Sequence, residues 1–131
     1  MILCKLVEEI KSKPNFYAEK GASALQIEQA ELSLGLDFAL DFKECLCEFG
    51  AISVDGHELT GFSADKNLDV VQVTQNNRKK HNVGNNLYVI EATHIDGIVI
   101  WQSSSGEIYQ TTPEKQAIRI CNSLKEYIEM T

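Results

Sequence analysis

The chain is poor in the residues that usually carry covalent, redox or metal chemistry. Its 131 residues include three histidines, four cysteines, two prolines and one tryptophan. The histidines, His57, His81 and His94, lie at least 13 residues apart, so none has the close spacing with which two imidazoles share a zinc ion. Cys45 and Cys47 stand two apart, and on a helix that spacing turns the sulfurs about 200° from each other. Cys4, Cys45, Cys47 and Cys121 are scattered among apolar neighbours, unlike the dense frameworks of small secreted domains, and are expected to be buried thiols. Nucleophile elbows, phosphate loops and dinucleotide fingerprints are missing. No metal, cofactor or catalytic residue is expected. His57 beside Glu58, or His94 beside Asp96, could exchange a proton, but both pairs read equally well as turn residues.

Long apolar runs are lacking too. None approaches the roughly 18 residues of a membrane span, and Met1–Ile10 lacks the basic start and small-residue cleavage site of a secretory leader. The expected location is the cytoplasm, with no membrane contact. Positive charge is scarce: 12 Lys plus Arg against 19 Asp plus Glu leave a formal net charge of −7. Nucleic-acid affinity rests on cationic side chains that displace counterions, so nucleic acid is not an expected partner. A basic protein is compatible with this charge.

With 44% hydrophobic residues and this length, the chain can bury about 70% of its unfolded surface. One domain over residues 1–131 is expected. Ile2, Leu3, Leu6, Val7 and Ile10 recur at helical spacing until Pro14 and Asn15. After a linker containing Gly21, Ser23-Ala24-Leu25-Gln26 has capping-box form and predicts a helix over 24–34 that buries Leu25, Ile27, Ala30 and Leu34 and stops at Gly35. Phe38, Phe42, Leu46 and Phe49 predict a third helix, with Gly50 as its left-handed terminator.

Beyond Gly50 the period shortens. Val54-Asp55-Gly56-His57 is a hairpin signal. Residues 68–77 suit a strand through Val70, Val71 and Val73, but the Asp69 start and the Asn-Arg-Lys-Lys ending favour a short helix. Runs 87–93, 97–102 and 107–111, joined by short turns including Ser103–Gly106, predict an antiparallel meander. A short strand near 117–120 and a helix over 123–130, capped by Asn122 with Leu124, Tyr127 and Ile128 inward, complete the chain. The fold class is α+β: an antiparallel sheet of about four to six strands, with N-terminal helices and a C-terminal helix packed on one face. Along 98–101, Val99 and Trp101 alternate with Ile98 and Ile100, so both faces of that strand are apolar. Trp101 is either a core residue or an aromatic anchor for a partner, and a monomer or a homodimer fits equally.

Charge is unevenly spread. Asp55, Glu58, Asp65 and Asp69 face only Lys66 between 51 and 75, and no Lys or Arg occurs from 81 to 114. Arg78, Lys79 and Lys80 form one basic stretch between them. Acids in the turns of a sheet would gather at its ends, where they could steer a cationic partner. The expected contacts are Asp55, Glu58, Asp65, Asp69, Asp96 and Glu107, with Trp101 or Tyr109 as the aromatic hot spot.

The segment KGASALQIEQAELSLGLDFALDFKECLCEFGAISVDGHELTGF (20–62) resembles the SUKH superfamily, which joins fungal cell-wall synthesis regulators to bacterial immunity proteins. Glu28 and Leu32 match its first helix, Asp41-Phe42-Lys43 and Leu46 its second, and Gly50, Gly56 and Gly61 the glycines that follow. VIEATHIDGIVIWQSSSGEIYQ (89–110) and NSLKEYI (122–128) look like the family's sheet and closing helix. The family's Leu-Pro pair is replaced by Leu36-Asp37. The resemblance implies a non-enzymatic protein that binds and neutralises a cognate bacterial toxin, such as the basic nuclease or effector domain of a polymorphic toxin. The other function it implies is a regulatory scaffold of the cell-wall synthesis type. No site residue transfers by motif.

Overall fold

The computed structural model describes residues 2–81, 83–113 and 115–130, with side chains from Leu6 onward. The expectations for Ile2, Leu3 and Cys4 concern side chains outside that set. The α+β class is borne out, with the strands divided between two antiparallel sheets. The order is α1 (Ile2–Ser12), β1 (Tyr17–Lys20), α2 (Ala24–Leu34), α3 (Leu40–Glu48), β2 (Phe49–Val54), β3 (His57–Leu59) and α4 (Val70–Lys80), then β4 (Leu87–Ala92), β5 (Val99–Ser103), β6 (Ile108–Thr111), β7 (Ile118–Cys121) and α5 (Leu124–Glu129). None of these helices is long and apolar enough to cross a membrane.

Local chemistry explains the element boundaries. Ser23 Oγ accepts from Gln26 N at 3.2 Å while Ser23 N donates to Gln26 Oε1 at 2.9 Å, so α2 begins with the expected capping box. It ends at Gly35, whose φ of 69° closes the last turn. Ile27, Ala30 and Leu34 are buried, but Leu25 is 63% exposed, because a residue two before Ile27 lies on the opposite side of the helix. Gly50 does not terminate α3 as expected. Phe49 leaves the helix in extended geometry and the chain enters β2 directly. There Gly50 is required for close approach: a Cβ would lie 2.5 Å from Phe62 O and 2.7 Å from Lys20 O. Asp55 and Gly56 both have positive φ, 48° and 84°, as the tight β2–β3 hairpin demands.

β1, β2 and β3 form one sheet in that order, and β4 to β7 form the expected meander. Residues 17–20, just before Gly21 and read as part of a linker, are therefore a strand, paired to β2 with Tyr17 opposite Ser53 and Ala18 opposite Ile52. Thr60 joins the sheets, its N–H donating to Ile90 O at 2.9 Å and its hydroxyl to Val89 O at 2.8 Å. Side chains of α4 reach the β4 edge and the end of α2. Thr74 Oγ1 accepts from Val89 N at 2.9 Å, and the Arg78 guanidinium donates to Leu87 O at 3.1 Å and Leu34 O at 3.0 Å.

The main core packs Leu6, Val7 and Ile10 of α1, Phe42 and Leu46 of α3, and Leu124 and Ile128 of α5 with Tyr88, Ile90, Ile100 and Ile108 of the meander. Val73 of α4 packs with Leu87, Val89, Val99 and Trp101 on the other side. The two apolar faces of β5 are as its alternation predicts, but helices cover both of them and not one. α4 is the helix that the Asp69 start signals, and Asp69 caps it through Gln72 N at 3.2 Å. The cap of α5 is Ser123, not Asn122: Ser123 Oγ accepts from Glu126 N at 3.1 Å, while Asn122 N is held by Glu126 Oε1 at 2.7 Å.

Candidate partner-binding site

The three-stranded sheet carries the acidic side chains that the structure brings together. Its register aligns Tyr17 with Ser53 and Ser53 with Glu58, so these three side chains form a row across β1, β2 and β3. They line a shallow groove of about 140 Å³ with Glu19 and Leu68. Tyr17 is 68% exposed. Glu19 Oε2 accepts from Ser63 Oγ at 2.8 Å, and that oxygen accepts from Asp65 N at 3.1 Å, which draws the loop before α4 against the sheet. Asp65 turns the loop by accepting from Asn67 N at 2.9 Å. Asp69, bridged to Gly61, follows at the start of α4. Of the expected contacts, Glu58 lines this groove with Glu19, Asp65 lies in the loop tied to Glu19 through Ser63, Asp69 turns its carboxylate to Gln72 N at the start of α4, and Asp55 lies in the β2–β3 hairpin turn. An aromatic ring and Leu68 supply the apolar surface inside the acidic rim.

The other expected contacts do not join them. Asp96 turns β4 into β5 and Glu107 follows the β5–β6 turn, so the length of β5, about 17 Å, separates them. Glu107 accepts from Ser105 Oγ at 2.8 Å and Ser103 Oγ at 2.9 Å, and these bonds hold its carboxyl below the usual range, helped by Arg119. Trp101 is completely buried and donates from Nε1 to Thr111 Oγ1 at 2.8 Å, so it serves the core and offers a partner no surface. Tyr109 is half-buried and packs against the Trp101 cluster. Tyr17 and Glu19 were missed in the sequence because the strand is only four residues long. Their i, i+2 spacing between Asn15 and Gly21 is the signal that places them on one face.

His57 has a different carboxylate from the one its sequence neighbour suggests. Its Nδ1 donates to Glu91 Oε1 at 2.7 Å, the Tyr127 hydroxyl donates to the same oxygen, and Glu58 N reaches Glu91 Oε2 at 3.3 Å. Glu91 is buried, and the rings of His57 and Tyr127 meet edge to face at 5.4 Å. Burial, then the neighbouring Glu91 carboxylate, pushes the Tyr127 phenol far up. Each group satisfies another, and the cluster ties β3, β4 and α5 together. Among the described residues no serine, threonine or cysteine side chain hydrogen-bonds to it, and no set of three His, Cys, Asp or Glu side chains is placed to hold a metal ion. Of the thiols, Cys45 is buried, and burial followed by Asp41 and Glu44 pushes it up strongly. Cys47 is exposed, contrary to expectation, because its position two residues on turns it to the other side of α3.

No curated protein matches the chain. The family model SUKH_6, described as SMI1-KNR4 cell-wall, matches residues 24–128. That span begins with α2 and takes in β2 to β7, most of the chain. A family match of this extent, on an α+β fold, shows that the chain belongs to the SUKH superfamily, in its SMI1-KNR4 family.

Proposed function

We propose that the protein is an immunity protein that binds and neutralises a cognate, basic bacterial toxin domain in the cytoplasm, without catalysing a reaction. The superfamily includes immunity proteins, which supports the class. One observation carries the surface: exposed Tyr17 stands with Glu19 and Glu58 in a groove on the open face of the three-stranded sheet, and the loop carrying Asp65 is tied to Glu19 through Ser63. Negative potential there speeds encounter with a cationic surface, and the tyrosine supplies the rigid, amphipathic contact from which hot spots are built. An interface of standard size would cover about 800 Å² on each partner, wider than the groove, so the hairpin turn with Asp55 falls within its reach.

The test is protection of cells that express the product of the neighbouring gene. Wild-type protein should co-purify with that product and protect, and the Glu19→Lys/Glu58→Lys double variant should do neither while keeping its melting temperature. Full protection by the variant would remove this face from the proposal. The family's description as cell-wall supports a second reading, a non-enzymatic regulatory scaffold. A large neighbouring gene ending in a toxin-like domain favours immunity, and a cell-wall phenotype on deletion without such a neighbour favours regulation.

A further inference from the structure

A second depression has the opposite charge. It lies between α4 and the β4–β5 turn, has a volume of about 250 Å³, and gathers Lys66, Lys80, His81 and His94 over an apolar floor that includes Val73 and Val99. Among the described residues no carboxylate lines it. Some cations elsewhere do have carboxylate partners. Lys11 pairs with Glu48 at 3.9 Å, Lys43 with Glu31 at 3.2 Å and Lys125 with Glu129 at 2.8 Å. Lys66 and Lys80 have no ion-pair partner among the described residues. The carboxyl end of α4 explains a cation at position 80, since helix carbonyls there attract positive charge. It does not explain Lys66 or His94, which come from two separate loops, before α4 and after β4.

Two ammonium groups and two imidazoles therefore line one groove, and three asparagines add neutral hydrogen-bonding groups to the walls. The floor is continuous with the Trp101 cluster, and the His81 ring stands edge-on to Trp101 at 6.1 Å. Such a site stabilises a negative charge above and an apolar body below. Its volume falls short of the roughly 300 Å³ at which pockets for drug-sized ligands begin, so it suits one ring with one charged substituent. We propose that this groove binds a small organic anion: a phosphate or carboxylate held by Lys66, Lys80, His81 and His94, carried on a compact apolar ring seated over Val73 and Val99. This groove is a separate depression from the one lined by Tyr17, Glu19 and Glu58.

Backbone amide shifts of the full chain, followed by NMR during titration with phenyl phosphate and separately with benzoate, test this directly. Saturable shifts confined to Val73, His81, Val99 and their neighbours are expected with at least one, and the tighter of the two tells phosphate from carboxylate. Phenol, without the charge, and inorganic phosphate, without the ring, should each bind at least about tenfold more weakly. Lys66→Gln/Lys80→Gln should lower affinity for the charged probe by at least about tenfold while its circular dichroism stays that of the parent. No saturable shift in the groove with either probe would overturn the proposal. So would equal binding of inorganic phosphate, or unchanged affinity in the double variant.

Discussion

The two sheets are built from similar strands and finished differently. β4 and β5 are apolar on both faces, with α4 covering one and α1, α3 and α5 packed with the other. The β1–β2–β3 sheet leaves one face open, where Ser53, Glu19, Glu58 and Tyr17 replace the valines and isoleucines of the meander. One sheet is spent on stability and the other is free to present chemistry. Substitutions should separate the two: changes in the meander unfold the protein, and changes on the open face cost binding alone.

The largest effect should come from Trp101→Ala, which empties a fully enclosed site and should cost about 4 kcal/mol by denaturant unfolding. Next is Glu91→Ala. It leaves His57 and Tyr127 without their acceptor and should cost about 3 kcal/mol, whereas Glu91→Gln, which keeps an acceptor oxygen, should cost less. A smaller loss, about 1 kcal/mol, is expected for Ser23→Ala, which removes half of the α2 capping box. Tyr17→Ala should change stability by less than about 0.5 kcal/mol, because the ring is mostly in solvent, and yet weaken partner binding measurably. A Tyr17→Ala protein as unstable as the Trp101→Ala one would erase the distinction between the sheets.

Local signals were legible in the sequence and distant pairings were not. The α2 cap, the Asp55-Gly56 hairpin and the β4–β7 meander depend on neighbours a few residues apart, and each forms as the residues dictate. β1 escaped because its pairing with β2 joins residues 29 to 36 positions apart, and a four-residue strand has almost no period of its own. Its loss hid Tyr17 and Glu19. Burial misled at single positions for a related reason. Leu25 is apolar but on the wrong side of its helix, and Trp101 lies on a strand whose second face is closed by α4, a helix whose placement no pattern near the tryptophan records. The His57–Glu91 bond, 34 residues in span, was overshadowed by the adjacent Glu58. The acidic turns were found by counting charges, but counting could not show that Asp96 and Glu107 stand at opposite ends of a sheet.

The central claim is that the open, acidic sheet face recruits a cationic protein. Association kinetics with the purified product of the neighbouring gene, at low and high salt, measure it most directly. The account predicts that the wild-type association rate falls steeply as salt rises, and that Glu19→Lys/Glu58→Lys is slow at both concentrations because the steering field is gone. Equal rates for the two proteins at low salt would contradict it.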